Sequence, residues 1–355
     1  MSTNQTAAFP EGYAEESISD SVLVVSCVFI VLEVLVVGMR LITRMKYQAK
    51  LGLDDYLILP ALVFSLGMCA VAIVEIKLAG VGRHLAVLIQ TDLTAVQNWA
   101  KCAYAMETTY CAAIALPKLS ILASYLRIFT TKPYRYATYA IGCIVTATAI
   151  AGIIASFAMC DTFAGRWDLL KFPGNCRDIV SYWKGMSVPN IVTDAVMLFL
   201  PLPVIWNLQI QTKQKVALIF IFALGSLGMV SSIIRLKVAF RMTGLEDGTW
   251  DTAELVIWSV VEAGCYLIAA CLPTLRPLFM SAVNTAKGTV GYSSKKLGGS
   301  SGRSNDSHQL ASLQGRYEQH NSSQYQILEE GPHHHVSVQA GRGPHHQKYS
   351  SNLPV

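Results

Sequence analysis

An all-α fold, a bundle of seven transmembrane helices with a disordered C-terminal tail, is predicted by three features of the sequence. Seven apolar runs lie between about residues 21 and 280, each near the ~20 residues that cross a bilayer. Only 14% of the residues are charged, where soluble domains carry roughly 25%. Mean hydropathy is +0.40 although the last 75 or so residues are polar, so the apolar residues are concentrated ahead of them.

The spans follow in order. The first, about 21–43, ends in Arg40 and Arg44. The second, about 54–78, is opened by Asp54-Asp55, read as an N-cap with charge that suits the helix dipole. The third, about 98–129, is the longest and most polar, and the fourth, about 136–160, is rich in Ala, Gly and Ile. The fifth is placed at about 186–208, broken by Pro201 and Pro203. The sixth covers about 214–240, and the seventh about 252–280 with Pro273 and Pro277 near its end. Three regions result: a short extracellular N-terminus (1–20), the membrane domain (21–280) and a cytoplasmic tail (281–355).

Lys and Arg in short loops set the orientation. Residues 1–20 hold Glu11, Glu15, Glu16 and Asp20 but no Lys or Arg, so no cleavable signal is read there. The first span is taken as an uncleaved anchor with the N-terminus outside. Basic residues then fall in loop 1–2 (Arg44, Lys46, Lys50), loop 3–4 (Lys132, Arg135), loop 5–6 (Lys213, Lys215) and the tail, which all count as cytoplasmic. Loop 4–5 dissents with Arg166, Lys171, Arg177 and Lys184. On this orientation Asn4, in Asn4-Gln-Thr6, is the glycosylation acceptor, and Asn305 and Asn321 are not.

The tail is Ser, Gly, His, Gln and Asn with few apolar residues, and cannot bury a core. His333-His334-His335 reads as a polar tract more than a metal site, and no Cys/His metal spacing occurs elsewhere. Six cysteines (Cys27, Cys69, Cys111, Cys143, Cys265, Cys271) lie inside apolar runs as packing residues, while Cys102, Cys160 and Cys176 lie at or beyond span ends. The net charge of +5 follows the loop asymmetry and carries no nucleic-acid footprint.

Charged groups inside spans face the bundle interior. Here they are Glu33, Glu107, Asp194 and Glu262 against Lys118 and Arg235. Asn190 and Asp194 share a helix face, as do Trp258 and Glu262, each pair being i, i+4. Glu107, Asp194 and Glu262 fall roughly 13–15 Å below the outer surface at ~1.5 Å per residue, with Arg235 near the outer third. Lys118 is placed deeper, its ammonium received by carbonyls freed at the Pro117 kink. Three acids facing one base predict a polar cavity in which two carboxyls lack a cation and at least one is protonated. The ligand-cavity candidates are Glu107, Lys118, Asn190, Asp194, Arg235, Trp258 and Glu262. Two readings stay open: charges that pair to hold the bundle, and a cavity for a ligand or substrate. A proton or ion path has no repeat or ladder of acids behind it.

The order of short motifs resembles the fungal rhodopsin-domain membrane proteins, including the Pth-eleven-like receptors and the satratoxin-cluster membrane protein family. The resemblance rests on Gly52-Leu-Asp-Asp-Tyr56, Gly80-Val-Gly-Arg-His84, Pro117-Lys-Leu-Ser120 with Tyr125-Leu-Arg-Ile-Phe129, and Cys160…Arg166-Trp-Asp168…Cys176. It continues through Asn190-Ile-Val-Thr-Asp194…Leu200-Pro-Leu-Pro203, Arg235, and Glu262…Leu272-Pro273. Loop 4–5 departs in lacking the Pro that often follows its first Cys. The family pattern implies a Cys160–Cys176 disulfide, with Cys102 as the alternative partner. A retinal Schiff base needs a lysine in the seventh span, and none occurs between Lys237 and Lys287, so no retinal and no other cofactor is expected. The resemblance implies a receptor in some members, with a cytoplasmic signalling partner. In others it implies a membrane protein encoded beside secondary-metabolite enzymes; the buried carboxyls Glu107, Asp194 and Glu262 add the reading of an enzyme using them as general acid and base, beside an accessory role in such a cluster. Whether this chain is an enzyme is left open. The partners expected are the bilayer and a small ligand or substrate.

Overall fold

The structure, a computed structural model, describes residues 12–13, 15–47, 52–129, 131–168, 176–203, 212–242 and 247–295. Asn4 and most of the tail, including the His333–His335 run, lie outside the described residues. Among these residues the chain is all helix, with two isolated bridges and no strand. The helices are α1 (Ser19–Lys46), α2 (Leu53–Ala79), a short α3 (Leu85–Thr91), α4 (Leu93–Ile128), α5 (Lys132–Phe157), α6 (Ile179–Phe199), α7 (Thr212–Arg241) and α8 (Gly248–Lys295). Residues 1–287 form one compact unit; of the remainder only 288–295, the end of α8, is described.

Seven of the helices have 21 residues or more, and six of those are long and apolar enough to span a membrane. The exception is α6, which carries Lys184, Pro189, Asn190 and Asp194 within 21 residues. The polarity runs inside-out, as a bilayer requires. Large apolar side chains such as Val24, Val31, Ile42, Ile150 and Ile154 face outward. Glu33, Arg40, Glu75, Lys118 and Glu262 are 1% exposed or less. Within the apolar window, 67% of α8 and 56% of α4 is buried, against 22–33% in α1, α2, α5 and α7. The first pair is therefore the centre of the bundle and the others its wall.

The observed boundaries correct the sequence reading in four places. The sequence places the fifth span at about 186–208, whereas α6 runs Ile179–Phe199. It starts early because Asp178 caps it, accepting from the backbone N–H of Val180 (3.0 Å) and Ser181 (3.3 Å). It ends at Phe199, with Leu200 still in the α region and donating to the Val196 carbonyl, because Pro201 has no N–H to continue the ladder. The N-cap of α2 is Gly52; Asp54 and Asp55 sit in the first turn, where Asp55 accepts from the Gly52 N–H at 3.1 Å. The short α3 was not anticipated, and α8 runs on past residue 280 to Lys295.

Asp54 and Asp55 also serve a larger purpose. Arg40 donates to Asp54 (2.5 Å), to Asp55 (3.0 Å) and to the Ala270 carbonyl (2.6 Å). Arg44 adds bonds to Asp54 (2.7 Å) and Asp55 (3.1 Å). All four side chains are buried, so this lock joins α1, α2 and α8 with two cations against two anions.

At the opposite end of α2, the Gly80-Val-Gly-Arg-His84 motif forms a junction. Gly80 ends α2 in the left-handed conformation (φ 65°), and Gly82 (φ 96°) passes so close to Ser19 that a Cβ would meet its backbone N at 2.7 Å. The Ile18 N–H donates to the Gly82 carbonyl, the Gly82 N–H to Thr249, and Thr249 Oγ1 to the Arg83 carbonyl. His84 is stacked between Tyr13 and Trp250, with Asp247 Oδ2 at 2.5 Å. The N-terminal segment, the α2–α3 turn and the start of α8 are thus tied together.

Candidate functional site

The centre of the bundle holds a connected polar network. Lys118 of α4 pairs with Asp194 of α6 and donates to Asn190 Oδ1 (2.6 Å) and Thr193 Oγ1 (3.3 Å). Asn190 donates in turn to Glu262 Oε1 of α8 at 2.5 Å. Arg235 of α7 donates to Glu262 Oε2 (3.0 Å) and lies over the Tyr110 ring, 4.0 Å from its centroid. The Tyr110 hydroxyl donates to the same Glu262 oxygen at 3.0 Å. Ser232 Oγ lies within hydrogen-bond reach of both Asp194 Oδ2 (2.7 Å) and Glu262 Oε1 (2.6 Å). Asn190 and Asp194 reach this network from one face of α6, as their spacing predicted.

Glu107 forms a second node. It pairs with Arg166 and accepts from Ser156 Oγ (2.7 Å) and Trp183 Nε1 (2.9 Å). Arg166 sits in a 3₁₀ turn, Phe163–Arg166, and also donates to the Ser156 carbonyl at 3.1 Å. The loop that carries it is closed by the Cys160–Cys176 disulfide; Cys102 is free. Both nodes border one cavity, lined among others by Glu107, Tyr110, Lys118, Trp183, Asn190 and Arg235, with about 100 Å³ in which the centre of a water molecule can move. One water needs ~10–15 Å³ of such space, so the cavity admits a small molecule.

Three expectations change. Each of the three carboxyls has a cation: Glu107 has Arg166, Asp194 has Lys118 and Glu262 has Arg235. The expected surplus of two unpaired acids arose because Arg166 was counted as a loop charge and Lys118 as too deep. Lys118 turns to Asp194 because an ammonium gains more from a buried carboxylate than from kink carbonyls. Trp258 is half-buried and is absent from the cavity lining; Ser259, the next residue, lines it instead. Glu33 is apart, accepting from Ser65 Oγ at 2.7 Å.

Sequence reasoning missed Tyr110, Thr193, Ser232 and Glu75. The first three are uncharged, and nothing in one sequence marks a hydroxyl that faces a charged group on another helix. Glu75 lay inside the second span and had the same signal as the four acids that were singled out.

The model of the fungal rhodopsin domain matches residues 39–281, which contain both nodes and the cavity. The chain belongs to the fungal rhodopsin-domain family. Three relatives show its breadth. The polyenoic acids biosynthesis gene cluster protein Ba17b of Metarhizium anisopliae is 31% identical over 71% of each chain. A SAT4 family membrane protein of Emericella nidulans is 31% identical over 67% of this chain and 59% of its own. The receptor GIN3 of Arthrobotrys oligospora is 26% identical over 81% of this chain and 71% of its own. No solved structure matches. The fungal rhodopsin domain here is thus a multi-pass membrane protein whose relatives include a receptor and biosynthesis-cluster proteins.

Proposed function

We propose that this fungal rhodopsin-domain protein is receptor-like and binds a small, largely apolar ligand in the cavity between α2, α4, α5, α6, α7 and α8, without retinal. The observation that carries this reading is that the ion-paired network borders open space. Pairs that serve only to hold helices are packed shut, as around Arg40; here Lys118, Asn190 and Arg235 each face both a partner and the cavity. A ligand that competes for Asn190 or Tyr110 changes the bonds joining α4, α6 and α8 to Glu262, which couples occupancy to helix position. With the N-terminus outside, the basic loops near Arg44 and Lys132 face a cytoplasmic signalling partner. Glycan on Asn4 agrees with that orientation, and endoglycosidase-sensitive glycan on Asn321 opposes it.

A second reading is favoured by the relatives' names, which include biosynthesis-cluster proteins. In it the same cavity carries a cluster intermediate or product. The enzyme version asks Glu107, Asp194 or Glu262 to deliver a proton. Each is already engaged by a cation and by hydroxyl, indole or amide donors, so carriage fits this network better than catalysis.

The test is organic extraction of protein purified from its own host, followed by mass spectrometry. The proposal expects a small molecule recovered with wild type and lost from Ala115→Phe, which fills the cavity wall. Recovery of phospholipid and detergent alone, from both, opposes it. Deletion of the gene then separates the readings: loss of a secreted metabolite marks the second, and loss of a response with metabolites unchanged marks the first.

A further inference from the structure

Glu75 lines the same cavity from α2, is 0% exposed, and has no partner for either carboxylate oxygen among the described residues. Every other charged side chain in the lining is matched: Glu107 by Arg166, Lys118 by Asp194, Arg235 by Glu262. Thr252 Oγ1, on the same cavity and 5% exposed, is also without a partner. Buried polar groups are ordinarily satisfied, and those left over at a cavity wall mark what the occupant must supply.

We propose that Glu75 anchors the ligand's polar head, and that this head is a protonated amine on an apolar body. The proposal rests on the reading of this cavity as a ligand site and deepens it. Two free carboxylate oxygens on one side chain call for several donors on one group, and the free hydroxyl on the same lining can accept another. An ammonium has three donors and no acceptor. It supplies the one positive charge the lining lacks. An alcohol offers a single donor, and a fatty acid would set a second carboxyl against Glu75. The cavity lining also includes the apolar or aromatic Ala103, Met106, Ile114, Tyr110 and Trp183, which suits a hydrocarbon body and the flank of a cation.

The test uses the full chain in mild detergent with octylamine, octan-1-ol and octanoic acid as probes, read by thermal unfolding. Octylamine is expected to raise the midpoint by several degrees, and the other two not to. In Glu75→Gln, which keeps the size of the side chain, the amine shift disappears. Should that variant not fold, a diazirine-bearing octylamine is photolysed on wild type and its adducts mapped. Adducts on residues 71–79 and 248–256 support the anchor, and adducts only elsewhere overturn it. Equal shifts with amine and alcohol, both lost in Ala115→Phe, overturn the amine while leaving the cavity intact. An amine shift retained in Glu75→Gln overturns the anchor. No shift with any probe, together with no mapped adduct in the cavity wall, overturns the proposal and the cavity reading with it.

Discussion

The bundle contains two buried clusters of paired charge, and they differ in what lies beside them. Arg40 and Arg44 meet Asp54 and Asp55 where α1, α2 and α8 converge, with all three Arg40 nitrogens and two of Arg44 directed at a carboxylate or a carbonyl. Lys118, Asp194, Arg235 and Glu262 also pair two against two, but hydroxyls and an amide are interleaved and a cavity adjoins them. Paired charge in a membrane bundle is therefore not itself a sign of function. The free volume next to it, and the adjustable donors between its members, distinguish a site from a lock.

Breaking the lock gives the largest expected effect. Arg40→Met leaves two buried carboxylates with one cation, a cost of ~3–5 kcal/mol. The folded fraction after detergent extraction is expected to collapse. A wild-type midpoint would place the arginine's worth elsewhere. Next comes the loop that brings Arg166 to Glu107. Cys160→Ser with Cys176→Ser opens a 16-residue closure, for which chain entropy alone gives ~3 kcal/mol. The expected loss of stability should be matched in wild type by reductant, and a reductant-insensitive midpoint would contradict it.

Smaller effects sharpen the contrast. Asp178→Ala removes the cap of α6 and should cost ~0.5–2 kcal/mol by thermal unfolding. The Ser181 hydroxyl, more than the backbone N–H of Val180 and Ser181, holds the Asp178 carboxyl below its ordinary range. Its contribution is thus present above the ordinary carboxylate pKa and lost as pH falls through the lowered folded value. The Asp178→Ala midpoint should approach wild type in acid; a gap that widens there would reverse the sign. The smallest expected effect is none: all-trans retinal added to the protein should produce no red-shifted, hydroxylamine-bleachable band.

Much of the scaffold was legible because a bilayer demands long apolar runs, and six helices meet that demand. α6 was misplaced because its middle is polar and its N-terminal part, with Tyr182, Trp183 and Lys184, resembles a loop. α3 is too short to leave a periodic signal. At the site, partners within a helix were readable from spacing: Asn190 and Asp194 do act together. Partners across helices were not. Arg166 and Lys118 were assigned to loop and kink because nothing local distinguishes a basic residue that turns inward from one that does not. Trp258 failed for a related reason: an i, i+4 relation to Glu262 places two residues on one face but does not decide which part of that face meets the cavity.

The central claim is that the cavity-side network is built for an occupant and the lock for the fold. Glu262→Gln and Arg40→Met, purified in parallel and followed by thermal unfolding and by recovery of bound small molecule, test it most directly. The account predicts that Glu262→Gln stays folded, since its amide still accepts from Tyr110 and water can reach Arg235 from the cavity, yet recovers no ligand, while Arg40→Met is largely unfolded. Unfolding of Glu262→Gln as complete as that of Arg40→Met, or a folded Glu262→Gln that retains its ligand, would contradict it.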